Sequence, residues 1–346
     1  MKFEILADRA IGLLLLATAL LVICNEWGIA QWATPYKPAL VIVLLAVLTT
    51  RIKAWRIAFV LVAVVLSIAL ALTNPDWRET VERALAAAAF IGAFFTALST
   101  LRNVAQTSPA IQRAGAFLAS QPPGRRYGAL TVGGQAFSLL LSYGSLQLLG
   151  TLAVANANAE PDAEVRRHRI RRMLLAIQRA FVSSLPWSPL SFAVVVSTSV
   201  IPDTSWLQIV LPGLVTAFIL AGVGWALDTA IKPKLTARPL RAAPQGTWAA
   251  MLPLVGLLVV FIIGVGVLNQ LSDVRIVGII SVLVPAIALV WLGIQNLADA
   301  PVAGTARRIR TYVLEELPGY RGELVLLMMA GYIGTVGSQL LGPLLV

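Results

Sequence analysis

Polar residues interrupt two apolar segments of this 346-residue chain, and their types limit the chemistry available there. One interruption is Leu141–Ser145, which contains two serine hydroxyls and the phenol of Tyr143. The other is Ser183–Pro189, which combines three serines with two prolines. Hydroxyls and freed backbone carbonyls can coordinate a ligand, whereas general acid–base catalysis most often uses a carboxylate or an imidazole, and neither interruption contains one. The two interruptions therefore predict solute binding without covalent chemistry.

Pro186 and Pro189 predict a broken helix at the second interruption. Each proline lacks a backbone N–H, and its ring clashes with the preceding helical turn. The apolar run Val194–Ile201 beyond them then forms a half-helix that returns to the surface. The N-terminal amides of a broken helix carry partial positive charge and suit an anion. The alternative is a kink that only shapes helix packing.

The predicted substrate-binding residues come from both interruptions, and they are Ser142, Tyr143, Gly144, Ser145, Ser184, Trp187 and Ser188. We predict no catalytic residues, and the metal ligands stay unassigned. His168 is the only histidine and Cys24 the only cysteine, which excludes an intrachain disulfide and a histidine pair for zinc. The chain also contains no P-loop motif. We therefore expect a protein that is not an enzyme.

The composition places these segments in a membrane. The chain is 58% hydrophobic and 12% charged, with mean hydropathy +0.83, whereas soluble domains are about 25% charged. Its apolar runs approach the roughly 20 residues that a helix needs to cross the hydrocarbon layer. We predict an all-α integral membrane protein with about nine to ten hydrophobic segments, at residues 10–30, 38–50, 55–73, 84–101, 128–156, 174–201, 207–228, 248–269, 275–296 and 323–345.

Arginine-rich loops predict the orientation of the chain. The net charge is +11, and the basic residues lie in short loops between apolar runs, which indicates a cytoplasmic N-terminus in a bacterial inner membrane. Nucleic-acid binding needs a basic face on a soluble module, so it is not expected. The amphipathic run Arg166–Arg179 predicts contact with anionic lipids of the bilayer at Arg166–Arg172.

Two basic loops, 102–126 and 157–172, lie on either side of the single apolar segment 128–156. One crossing would place one of these loops outside, against the positive-inside rule. We therefore predict a re-entrant hairpin at 128–156, which glycines punctuate and Leu141–Ser145 interrupts. The alternative is one long glycine-rich packing helix.

The chain is predicted to consist of two membrane halves, 1–156 and 173–346, joined by a basic cytoplasmic connector at 157–172. Segments 86–98 and 328–340 resemble each other and are expected to run in opposite directions, which favours an inverted repeat. We expect the second half to be incomplete, because the chain stops on apolar residues after Gly342. The alternative is a short protein, or one that a second subunit completes.

The chain resembles the ion transporter superfamily, which includes divalent-anion symporters and the large permeases of tripartite carriers. The resemblance rests on Gly128–Gly150, the Trp187–Pro189 break and Gly331–Ser338. It implies scaffold helices around hairpin and broken-helix transport elements, organic-anion substrates, Na⁺ or H⁺ coupling without a cofactor, and a homodimer. Leu141–Ser145 stands where that family has a Ser-Asn-Thr type motif, which leaves the coupling ion and the substrate open.

These features together favour secondary active transport of a small, anionic organic solute across the inner membrane. One alternative is a non-transporting membrane subunit, or an anchor of an envelope complex. Another is a lipid-handling membrane enzyme.

The first prediction concerns the topology of the two basic loops. In a Cys24→Ser background, single cysteines introduced as Arg113→Cys and Arg167→Cys should react with a membrane-impermeant maleimide only after permeabilisation. An Asp76→Cys control, in the acidic segment 74–82, should react in intact cells. Reaction of either basic loop in intact cells would contradict the re-entrant hairpin.

Overall fold

The computed structural model describes residues 2–201, 204–231, 246–297 and 301–341. In this part of the chain, 87% of the residues are helical and none forms a β-strand, which confirms the all-α prediction. The α-helices are α1 (Lys2–Glu26), α2 (Lys37–Thr49), α3 (Ala54–Thr73), α4 (Trp77–Thr107), α5 (Pro109–Ala119), α6 (Pro123–Leu141), α7 (Tyr143–Ala157), α8 (Ala163–Ser184), α9 (Phe192–Val200), α10 (Trp206–Ala230), α11 (Leu252–Leu271), α12 (Ile276–Gln295), α13 (Pro301–Thr311) and α14 (Arg321–Leu341).

Eight helical segments among the described residues are long and apolar enough to cross a membrane: Leu6–Glu26, Gln31–Thr49, Ala54–Thr73, Trp77–Thr107, Trp206–Ala230, Trp248–Leu271, Ile276–Gln295 and Val302–Leu341. They indicate a multi-pass membrane protein and correspond to eight of the predicted segments. The other two predicted segments, 128–156 and 174–201, are the ones that polar residues and prolines interrupt.

Local sequence signals fix the ends of several helices. Asp162 caps α8, because its side chain accepts a hydrogen bond from the Val165 amide at 2.9 Å. Ser205 and Gln208 form a capping box at the start of α10. Pro109 and Pro123 occupy the first turns of α5 and α6, where a missing N–H costs no helical hydrogen bond.

The residue contacts divide the chain into two compact units. The first consists of Met1–Thr100, Val195–Thr204 and Val267–Val346, and the second of Leu101–Val194 and Ser205–Gly266. The division falls within helix α4. Its residues Trp77–Thr100 belong to the first unit, and Leu101–Thr107 belong to the second. The division into membrane halves at 156 and 173 stays a prediction.

In the first unit, α14 packs against α3 and α4. The Ser67 and Tyr332 hydroxyls are hydrogen-bonded at 2.7 Å, which joins α3 to α14. A Cβ placed on Gly92 would lie 3.1 Å from Met328 Sδ, and one on Gly331 would lie 2.3 Å from Ile91 Cδ1. The two segments of the predicted repeat therefore pack against each other. Their inverted relation stays a prediction, and Gly342–Val346, on which the expected truncation rests, lies outside the described residues.

Helix α1 approaches the chain between α13 and α14 closely. Tyr312–Glu316 forms a π-helical turn there, and a Cβ built on Gly12 would lie only 1.9 Å from the Val313 carbonyl oxygen. An ion pair between Asp8 and Arg321, at 3.3 Å, also links α1 to α14. Since the contact partner of Gly12 is backbone, it cannot yield by a change of rotamer.

The second prediction follows from this contact. Gly12→Ala should destabilise the protein by about 1–3 kcal/mol, because the added methyl group overpacks a site bounded by backbone. A Gly256→Ala control in α11, where no atom lies within 4 Å of the added Cβ, should be neutral or stabilising by up to about 1 kcal/mol. Thermal unfolding of the detergent-solubilised variants measures both. Equal melting temperatures for the two variants would contradict the close approach of α1.

Candidate functional site

Ser142 separates α6 from α7 and reverses the direction of the chain. A Cβ on Gly134 would lie 3.9 Å from Leu149 Cδ1, whereas a continuous helix would place these positions about 22 Å apart. Phe137 and Leu152, on either side of Ser142, also both lie against Gly115 of α5. The segment 128–156 therefore folds into a helical hairpin, as predicted.

The hairpin turn depends on an unusual backbone conformation. Ser142 has φ 49° and ψ −128°, and it is the only described non-glycine residue with a positive φ. These angles resemble the first central position of a type II′ turn, which glycine normally occupies. Strained conformations of this kind persist only where the surrounding structure imposes them, and they concentrate at functional sites.

Serine hydroxyls hold the turn together. The Ser145 hydroxyl donates to the Ser142 carbonyl at 2.7 Å and lies 3.0 Å from the Ser138 hydroxyl. The Ser138 hydroxyl in turn donates to the Gly134 carbonyl at 2.7 Å. Ser145 is 1% exposed. Its predicted role in solute binding stays untested, and its hydroxyl serves the turn in this structure.

A buried arginine lies against the hairpin turn. A Cβ on Gly144 would lie 2.8 Å from Arg102 Nε and 2.6 Å from Gln106 Nε2, so a side chain here would displace the Arg102 and Gln106 side chains. Arg102 is 6% exposed, and its Nη2 donates to Gln147 Oε1 at 3.4 Å. The guanidinium group therefore lies beside the first turn of α7.

The sequence interpretation missed Arg102, because it assigned this residue to a cytoplasmic loop. The structure continues α4 through Thr107 and places Arg102 within it. Val104 and Ala105, which are buried, extend the apolar pattern of α4 beyond Arg102. That pattern was the signal that the helix does not end at residue 101.

The second predicted interruption is also confirmed. Helix α8 ends at Ser184 and α9 begins at Phe192, with the two prolines between them. The Ser184 hydroxyl donates to the Phe181 carbonyl at 2.7 Å, and the Ser188 hydroxyl accepts from the Leu190 amide at 3.2 Å. Both serines are 3% exposed, and their hydroxyls satisfy the backbone of the break.

Helix α10 supports the break through Trp187. The Trp206 indole donates to the Trp187 carbonyl at 2.9 Å. A Cβ on Gly213 would lie 2.3 Å from the Pro186 carbonyl oxygen, so α10 approaches the broken backbone closely. The Trp187 indole N–H is buried and has no hydrogen-bond partner among the described residues. A buried, unsatisfied donor is rare in folded proteins and marks a place where an acceptor would bind favourably.

The structure brings the first interruption next to the end of α8. The ring of Tyr143 packs on Phe181 with centroids 4.9 Å apart, and Gln135 of α6 donates to the Ser183 hydroxyl at 2.9 Å. The predicted site residues thus form two groups in the second unit. Ser142–Ser145 lie at the hairpin turn beside α8, whereas Trp187 contacts α10.

The first half of α8 carries a cluster of arginines. Arg169 donates to Asn156 Oδ1 at 2.6 Å and lies 3.7 Å from Glu160, and Arg172 forms two hydrogen bonds with Asp228, at 2.9 and 2.6 Å. The hydrogen bond to Asp228 raises the pKa of Arg172. The predicted lipid-contact run Arg166–Arg172 is therefore part of a continuous helix, and three of its arginines, Arg166, Arg169 and Arg172, form hydrogen bonds within the protein.

The described residues contain no group of three or more histidine, cysteine, aspartate or glutamate side chains that could hold a metal ion. Comparison with protein-family models, curated proteins and solved structures finds no match. The fold and the two interruptions define the class as a multi-pass α-helical membrane protein whose two helix breaks lie in the second compact unit.

The third prediction tests the strain at Ser142. Ser142→Gly should stabilise the detergent-solubilised protein by about 1–3 kcal/mol, because glycine adopts this conformation without steric cost. Ser142→Val should destabilise it, since a β-branched residue is least tolerant of positive φ. Ser191→Gly, at a buried serine of the second interruption, is the control and should not stabilise. A destabilising effect of Ser142→Gly would show that the serine side chain matters more than the turn conformation.

Proposed function

We propose that this protein is a secondary active transporter of a small, anionic organic solute. The observation that carries the proposal is the buried Arg102 guanidinium beside the turn between α6 and α7. A helix start provides unpaired amides with partial positive charge, and a guanidinium beside them adds a full positive charge. Together these groups favour a carboxylate or a similar anion over a cation or a neutral solute.

The lengths of the hairpin helices support a re-entrant position. Helix α7 has 15 residues and is about 22 Å long, which is shorter than a hydrocarbon layer of about 30 Å. Neither α6 nor α7 belongs to the segments capable of crossing a membrane. Interrupted backbone at membrane depth is tolerated where it lies within protein or lines an aqueous cavity. A hairpin of this kind is suited to bind a solute that reaches it from one side of the membrane.

The Trp187 indole supports the second part of the proposed site. Its buried, unsatisfied N–H is a donor, as an anion requires. The remaining proposed site residues lie at the hairpin turn and the proline break and bind through backbone groups and hydroxyls. They are Ser142, Tyr143, Gly144, Ser145, Ser184 and Ser188.

The coupling ion, the oligomeric state and the membrane location are proposed from the sequence and from the resemblance described above. We propose Na⁺ or H⁺ coupling, a homodimer, and a location in a bacterial inner membrane with the N-terminus in the cytoplasm. The basic loops support the orientation.

One observation favours the alternative of a non-transporting membrane subunit. The hydroxyls of Ser145, Ser184 and Ser188 all form hydrogen bonds within their own interruptions. A break whose polar groups satisfy one another is also suited to a scaffold that holds a partner protein. Transport activity separates the two functions.

The fourth prediction tests transport directly. The full-length protein in proteoliposomes should take up at least one member of a radiolabelled panel of mono-, di- and tricarboxylates under an imposed Na⁺ or proton gradient. Arg102→Gln should lower the initial uptake rate by about tenfold or more, because it removes the charge that favours the anion. Arg113→Gln, an exposed arginine on the neighbouring helix α5, should change the rate less than about twofold.

Two results would contradict the proposal. Absence of gradient-dependent uptake across the panel, with correctly inserted protein, would favour the subunit function. Equal uptake by the Arg102→Gln and wild-type proteins would remove Arg102 and the hairpin turn from the solute site. Thermal unfolding of the two arginine variants distinguishes a local effect on uptake from a loss of the fold.

A further inference from the structure

We propose that a pocket in the first unit binds one acyl chain of a membrane phospholipid, with the lipid phosphate at Arg78. The pocket has a volume of about 460 Å³ and lies between α2, α3, α4 and α14. Binding pockets for small molecules typically measure about 300 to 1,000 Å³. The residues that line it all belong to the first unit, so the proposal does not rest on transport or on the solute site in the second unit.

The pocket has a buried floor and an exposed rim. Its floor includes Ala63 and Met329, which are 5% and 3% exposed. Its rim includes Val64 and Ile68, which are 50% and 56% exposed. The surrounding helices belong to segments that are long and apolar enough to cross a membrane. In a bilayer, the open side of the pocket therefore faces hydrocarbon, and a lipid chain is the molecule that reaches it.

The hydroxyl groups of the pocket wall favour an alkyl chain as the occupant. Among the described residues that line the pocket, Ser67 and Tyr332 carry them. The Ser67 hydroxyl donates to the Ala63 carbonyl at 2.7 Å, so it must accept the hydrogen bond that it shares with the Tyr332 hydroxyl at 2.7 Å. Both protons are thus committed, and neither hydroxyl can donate to a ligand. A quinone or another ligand with carbonyl oxygens would leave those oxygens unsatisfied here, whereas an alkyl chain needs no donor.

The length of the pocket matches the depth of one leaflet. Its lining residues on α3 extend from Val60 to Ala71, which is about 17 Å at 1.5 Å per residue. The hydrocarbon layer is about 30 Å thick, so one leaflet is about 15 Å deep. The lining residues of α4 begin at Trp77, directly after the short turn that follows α3. The pocket therefore starts near the membrane surface and extends inward.

The charge at the surface end of the pocket suits a phosphate group. The guanidinium carbon of Arg78 lies 5.4 Å from the centroid of the Trp77 ring, which lines the pocket. Arg83 is paired with Glu79 at 3.9 Å, whereas the described contact of Arg78 is with this ring. Tryptophan and arginine at the ends of membrane helices typically lie at the level of the lipid headgroups. A phospholipid whose chain fills the pocket therefore places its phosphate within reach of Arg78.

The test uses the full-length protein in vesicles that contain a phosphatidylethanolamine with a photoreactive diazirine in one acyl chain. After irradiation, labelling should concentrate in 60–71 and 77–85, the lining segments of α3 and α4. Ala71→Trp should lower this labelling about tenfold, because the indole takes the place of several methylene groups of the chain. The matched control is Ala58→Trp, at an exposed alanine of α3 that does not line the pocket, which should change labelling less than about twofold.

A second pair of variants tests the headgroup contact. Arg78→Gln should lower the labelling about two- to fivefold, as expected for the loss of one exposed charge contact. Arg83→Gln removes the neighbouring arginine that is paired with Glu79 and should leave the labelling unchanged.

Labelling spread evenly over the exposed faces of α3 and α11 would show only surrounding bilayer lipid and overturn the proposal. Equal labelling of the two tryptophan variants, or of the two glutamine variants, would also overturn it. If Ala71→Trp does not insert, Ile68→Trp at the rim takes its place with the same expected loss. A disulfide-linked dimer of Ile68→Cys in a Cys24→Ser background would show that a second copy of the chain covers the pocket, which is a further contradicting result.

Discussion

The requirement that backbone polar groups find partners inside a membrane constrains every other feature of this protein. A helix satisfies these groups within itself, and helices such as α1 and α3 do so without interruption. Where the helices break, at Ser142 and between Ser184 and Phe192, other groups must replace the lost hydrogen bonds. Serine hydroxyls do this at both places, through Ser145 at the hairpin turn and Ser188 at the proline break. The breaks are therefore stable parts of the fold, because serine side chains supply hydrogen bonds to the interrupted backbone.

Close helix packing is what allows the second unit to hold these breaks. Gly134 lies against Ala180 of α8, and Gly213 brings α10 against the carbonyl oxygen of Pro186. Each contact leaves no room for a side chain, so neighbouring helices pack directly against the two interrupted segments. Gly144 has the same effect on Arg102, whose guanidinium occupies the space beside the start of α7. A side chain at Gly144 would therefore shift the arginine from its position beside the hairpin turn.

The charged groups show two different solutions to burial. Arg169 and Arg172 are matched to Glu160 and Asp228, which offsets much of the cost of removing both charges from water. Arg126 has a backbone carbonyl as its described partner and keeps its charge in a partly buried position. Paired arginines of this kind stabilise the helix arrangement.

The sequence by itself determined the all-α membrane class, because apolar runs of this length have few alternatives to membrane-spanning helices. It also located both interruptions, since two prolines within four residues and a serine–glycine break act locally. Only the tertiary structure decided that Arg102 lies inside α4 against Gly144, and that Arg172 of α8 pairs with Asp228 of α10. Those contacts link residues that are distant in sequence. From the sequence alone, an arginine next to an apolar run is equally consistent with a loop and with a buried site. Charge patterns fix which side of a membrane a loop prefers, but packing decides which arginine turns inward.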